Sequence, residues 1–87
     1  MKTRVAVIGI IVENPDLVDP LNKILHEYSQ YIIGRMGIPY RQHHMDVISI
    51  VLDATDNTIS SLAGKIGALN GISAKAAYSS AFTGEED

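Results

Sequence analysis

Eight consecutive residues, Val5 to Val12, carry no polar side chain, and this run constrains the fold more than any other stretch of the 87-residue chain. It is far shorter than the ~20 apolar residues a membrane-spanning helix needs. Its richness in Val and Ile, and the turn signal Glu13-Asn14-Pro15 that ends it, mark a central β-strand. Alternate residues of a strand face opposite sides. Ala6, Ile8, Ile10 and Val12 therefore face one way, and Val5, Val7, Gly9 and Ile11 the other. Both sets are apolar, so both faces of this strand call for cover.

The pattern then changes period. Leu17, Leu21, Ile24, Leu25 and Tyr28 recur at helical spacing, with Asp16 or Asp19 able to cap the helix and Pro20 suited to its first turn. Tyr31 to Tyr40 reads as a second strand. Gly34 and Gly37 would weaken a helix there and Pro39 would stop it. The alternation puts Ile32, Gly34, Met36 and Ile38 on one side and Ile33, Arg35 and Gly37 on the other. After a polar connection, Arg41 to His44, a third strand runs from Asp46 to Ala54, with Val47, Ser49 and Val51 opposite Ile48, Ile50 and Leu52. Thr55 to Thr58 forms a turn that can cap a second helix with the stripe Ile59, Leu62, Ala63, Ile66 and Leu69. Gly71 stands where a helix ends in the left-handed conformation, and a fourth strand covers Ile72 to Tyr78.

Strand, helix, strand, strand, helix, strand predicts an α+β ferredoxin-like βαββαβ domain, a four-stranded antiparallel sheet with two helices on one face. Residues 1–82 are expected to form this single domain, with 83–87 as a disordered acidic tail. Helices on one face leave Val5, Val7, Ile11, Val47 and Val51 on the other, so these five are the expected contacts of a homo-oligomer, dimer or tetramer. A domain this small, without cysteines to staple it, gains most from such association.

Composition narrows the function. Glu85, Glu86 and Asp87 account for three of the ten acidic residues, which leaves seven against seven Lys plus Arg. With a neutral body and no basic stripe, direct nucleic-acid binding is not expected. No cysteine means no thiolate metal site, and His26, His43 and His44 have no chelating spacing, so no metal or other cofactor is expected. No nucleophile motif is present and an enzyme is not expected. A cytoplasmic location without membrane contact is the default expectation.

Two features call for explanation. Gly64 and Gly67 stand inside the second helix, at roughly 0.8–1 kcal/mol each relative to alanine. Either the helix backbone approaches a neighbouring element closely there, or the surface beside Lys65 meets a ligand or partner. Arg35, flanked by glycines on an apolar strand, either contacts an anion or another subunit's carboxylate, or reaches solvent.

The stretches Tyr31-Ile32-Ile33-Gly34-Arg35-Met36-Gly37-Ile38-Pro39-Tyr40-Arg41, Val47-Ile48-Ser49-Ile50-Val51-Leu52-Asp53-Ala54 and Ile59 to Gly71 resemble a small ACT-like family of regulators of the iron-only hydrogenase system in anaerobic bacteria. The resemblance implies a regulatory domain that binds a small effector at a subunit interface. Asn14 and Asp16 of the loop after the first strand and Arg35 and Gly37 of a neighbour's second strand would bind it, and Lys65 is a further candidate. The alternative is a ligand-free module that binds a protein partner in metalloenzyme assembly. The fold is also similar to the ligand domain of nickel-responsive repressors. Those use histidines on the second strand and a cysteine, none of which this chain has, so nickel sensing of that kind is not expected.

Overall fold

The apolar run lies near the middle of a four-stranded sheet. The computed structural model describes residues 1–86. In chain order it contains β1 (Lys2–Val12), α1 (Val18–Glu27), β2 (Ile32–Tyr40), β3 (Met45–Thr55), α2 (Asp56–Gly67) and β4 (Ile72–Glu85). Strand order is β2-β3-β1-β4 with every neighbouring pair antiparallel, the ferredoxin-like, ACT-like arrangement. The two most apolar strands are central, as strands flanked on both sides require.

The core follows from the registers. Ala6, Ile8, Ile10 and Val12 of β1 pair with Leu52, Ile50, Ile48 and Asp46 of β3, and all the apolar members of these pairs are buried. Leu21 and Leu25 of α1 and Ile59, Leu62 and Ile66 of α2 close over them. Each helix thus buries one stripe against one sheet face. Thr55 starts α2 by accepting a hydrogen bond from the Thr58 N–H at 3.2 Å. Gly71 has φ of 90° and turns the chain into β4, with its carbonyl accepting from the Glu13 N–H at 2.9 Å.

Four details differ from the sequence reading. The fourth strand, expected to end at Tyr78, runs on to Glu85, into the stretch expected to be a tail from residue 83, pairing Phe82 with Arg4, Gly84 with Thr3 and Glu85 with Lys2. Thr83–Glu85 therefore belong to the sheet, and Asp87 lies outside the described residues. The reason is that β1 itself begins at Lys2, which leaves its first residues with unpaired backbone groups that β4 satisfies across a bulge. Side chains reinforce it. The Phe82 ring sits 4.3 Å from the Arg4 guanidinium carbon and 4.9 Å from Lys2 Nζ, and the Thr83 hydroxyl donates to Asp53.

The second difference is in β2. A bulge between Ile32 and Gly34 pairs Ile32 with Leu52 on the helix face, not with Gly34, Met36 and Ile38, and leaves Ile33 63% exposed. Third, neither Asp16 nor Asp19 caps α1. Asn14 accepts from the Asp16 N–H and caps a short 3-10 turn, Pro15–Leu17, that leads into the helix without a side-chain cap of its own. Fourth, Gly64 and Gly67 are not sites of close approach, because a Cβ at either would meet nothing within 4 Å.

Candidate functional site

The sheet face away from the helices is built row by row from the strand registers. Ile38, Val47, Ile11 and Ser73 form one row; Met36, Ser49, Gly9 and Lys75 the next; Gly34, Val51, Val7 and Ala77 the third. Val5 follows beside Asp53. The five residues expected at an interface, Val5, Val7, Ile11, Val47 and Val51, thus share one face. Val5 and Val51 are half-buried, while exposure is 37% at Val47, 38% at Ile11, 39% at Val7 and 63% at Met36. Met36, Ile38 and Tyr40 of β2 extend the apolar surface, and the alternation of that strand already carried the signal. Gly9 makes a dent at its centre, since a Cβ there would meet nothing within 4 Å. Ser49 is the one polar side chain on the two central strands between Val47 and Val51; the other polar groups lie at the margins, Lys75 and Ser73 on the β4 side, Asp53 and Thr83 toward the termini.

The expected ligand residues fall into two places. Arg35 and Gly37 lie on the helix side of β2, opposite the core residues Ile50 and Ile48. Their strand is the sheet edge nearest α1. The Arg35 Nη2 donates to the Asn22 Oδ1 at 3.0 Å across the seam between β2 and α1. Open hollows lie on both sides of this contact. One, of about 280 Å³, is lined by Val18, Arg35, Gly37, Pro39, Asp46 and Ile48; the other, of about 290 Å³, by Asn22, His26, Ser29 and Ile32 among others. Asn14 and Asp16 flank Pro15, which shares a further hollow with Pro39, Arg41 and Asp46. The loop after β1 thus adjoins β2 of the same chain. Asn14 itself is committed to its turn and packs against Gly71.

Lys65 stands elsewhere. It projects from α2 toward the C-terminal end of α1, with its Nζ 3.8 Å from Glu27 Oε2 and 5.0 Å from the centre of the Tyr28 ring. The Tyr28 hydroxyl shares a hydrogen bond with Ser61 at 3.2 Å. That bond first, and the Lys65 ammonium second, hold the Tyr28 phenol below its ordinary pKa, while Tyr28 raises that of Lys65. Asn22 and His26 stand on one face of α1 by their spacing of four; the sequence reading weighed His26 only as a metal ligand and did not single out Asn22.

At the other end of the sheet, Arg4 works as a strut. Its Nη1 donates to the Ser79 carbonyl at 3.1 Å, and its Nε lies 2.9 Å from Asp56 Oδ1, an ion-pair distance but out of line for a directed hydrogen bond. Among the described residues no three His, Asp or Glu side chains gather as a metal site needs, and no helix is long and apolar enough to cross a membrane.

Comparison with known proteins adds to this geometry. An uncharacterized protein, TM1266 from Thermotoga maritima, superposes with a TM-score of 0.85 at 31% identity, over 88% of this chain and 98% of that one. A formyltetrahydrofolate deformylase from Pseudomonas putida KT2440 matches with a TM-score of 0.60 at 14% identity; the match covers 83% of this chain but 28% of the enzyme, and so speaks to fold alone. No curated protein sequence matches the chain. Residues 4–76 match the family model described as "TM1266-like: Iron-only hydrogenase system regulator, putative". The match spans both helices, β1 from Arg4, the whole of β2 and β3, and the first part of β4, and with the Thermotoga superposition it makes this chain a member of the TM1266-like family.

Proposed function

We propose that this chain is a non-catalytic regulatory domain that works as a homo-oligomer, joined through the open face of its sheet and responsive to a small effector. The observation that carries the reading is the open face itself. Val5, Val7, Ile11, Met36, Ile38, Val47 and Val51 form one apolar surface on three adjacent strands, interrupted by the small hydroxyl of Ser49 and with the charged groups at its margins. Isolated soluble domains rarely leave such a surface to water. A second copy suits it because the face is flat, nearly uncharged at its centre and continuous across the two central strands. The family's description as a regulator supports a role in control rather than chemistry.

Sedimentation velocity from about 1 to 100 µM tests the assembly. A dimer or tetramer throughout is the expected result; a monomer at the top of that range would remove the basis for the reading.

A further inference from the structure

The seam between α1 and β2 holds a feature that self-association does not use. Arg35 faces the helix side of the sheet, away from the proposed interface. It extends a row in which its β3 neighbour, Ile50, is fully buried, while Arg35 itself is exposed at the sheet edge. An ordinary packing residue there would continue the core to the sheet edge. A guanidinium stands there instead, and among the described residues no carboxylate pairs with it. Among the described residues its one hydrogen bond is to Asn22, a neutral amide that positions one arm of the fork.

The space beside it is equally specific. Gly37 lies two residues further along β2 on the same face, and the missing side chain opens the hollow lined by Val18, Ile48 and Pro39. A Cβ at Gly37 would meet only Ile48 Cγ1 at 3.9 Å, an ordinary contact, so packing within the chain does not demand glycine. A forked cation at the end of an apolar trough matches a carboxylate that carries a short aliphatic tail. Asp46, the anion lining this hollow, sits beside Pro39, four residues along β2 from Arg35 and about 13 Å of extended strand away. The two charges of an α-amino acid are too close together to span that separation, so an amino group gains little here.

We infer that the Arg35–Asn22 seam of each protomer is a binding site for small aliphatic carboxylates, with the carboxylate on the Arg35 fork and the tail in the hollow opened by Gly37. The inference deepens the regulatory reading by naming the class of effector, and it rests on that reading only for its purpose. Binding within one chain does not require the open face to be covered.

The test is an amide NMR titration of the full chain with 4-methylpentanoate. Its comparators are the uncharged 4-methylpentanamide, leucine, which is the same acid with an added amine, and inorganic phosphate. The expected result is saturable shifts centred on Val18, Asn22, Arg35 and Gly37 with a Kd of about 1 mM or tighter, and no saturation with the amide. Leucine is expected to bind no tighter than the acid, and phosphate at least ~10-fold more weakly. Arg35→Gln should weaken the acid at least ~10-fold. Gly37→Val should do the same while keeping the thermal midpoint, because its Cβ meets only Ile48 Cγ1 at an ordinary 3.9 Å, its methyls extend into the hollow, and a β-branched residue suits a strand. Absence of saturable shifts, equal binding by Arg35→Gln or Gly37→Val, or phosphate as tight as the acid would overturn the assignment. So would leucine binding ~10-fold tighter in a manner lost in Asp46→Asn. Sedimentation of the same samples reads the oligomer separately, so failure of one reading is not mistaken for failure of the other.

Discussion

Val7→Asp puts a charge in the middle of the open face and reads the proposed interface directly. Val7 lies between Val51 of β3 and Ala77 of β4, and is 39% exposed in the single chain. The apolar side chains of the face, exposed by 37% to 63% at Val7, Ile11, Met36, Ile38, Tyr40 and Val47, leave on the order of 500 Å² per copy. Two copies would remove roughly 1,000 Å², the lower bound for a specific interface. At about 25 cal/mol per Å² the gross gain is roughly 25 kcal/mol, against an association cost of about 4–15 kcal/mol. Micromolar affinity requires about 8 kcal/mol, so the surplus is adequate. In the isolated protomer the aspartate stays largely hydrated and costs about 1 kcal/mol in packing and strand propensity. In the assembly it loses its water. The nearest cation on the face, Lys75, sits opposite Gly9 and thus one diagonal step away, about 7–8 Å between backbones. Burial of an incompletely paired charge then costs about 3 kcal/mol or more, and the dissociation constant should rise at least ~100-fold. Sedimentation equilibrium of Val7→Asp, with Ser73→Asp on the edge strand as the milder comparison, measures this. A Val7→Asp protein that folds and associates as tightly as its parent would refute the reasoning.

Three further outcomes follow from local geometry. Because a Cβ at Gly64 or Gly67 meets open space, Gly64→Ala should stabilise the fold by about 0.5–1 kcal/mol and Gly67→Ala, at the helix end, by less, read as a rise of several degrees in Tm; weakened association instead would show that this bare stretch of α2 touches a partner. Gly71→Ala should destabilise by about 1–3 kcal/mol in urea titration, because φ is 90° and the new Cβ would lie 3.2 Å from Asn14 Cβ. Tyr28 should titrate below the ordinary tyrosine value when followed by ring ¹³C shifts, and Ser61→Ala should move it back toward that value. The folded state then holds this proton less tightly than the unfolded chain, so Tyr28 adds stability as pH rises through its depressed pKa; Lys65, held above its ordinary value, contributes stability below that value and loses the contribution as pH rises through its raised pKa.

Strand and helix order, the identity of the two central strands and the sharing of one face by Val5, Val7, Ile11, Val47 and Val51 were all legible in the chain, because periods of two and of three to four are local properties of the backbone. Gly71 was legible for the same reason, as a residue whose conformation is set by its own φ. What tertiary structure alone decided has a different physical origin. The bulge at Ile32 and Ile33 depends on where β2 meets β3, and a slip of one residue exchanges faces without any change in composition. The extension of β4 to Glu85 depends on unpaired backbone groups at the start of β1, more than 80 positions away in the sequence, and on Arg4 and Asp53 reaching across to it. Likewise the meeting of Arg35 with Asn22 and the hollow beside Gly37, and the separation of Lys65 from both, depend on how α1 lies along the edge strand. Such contacts are made between residues that no periodicity relates, so the sequence supplies the side chains and only the packed chain sets which of them face one another.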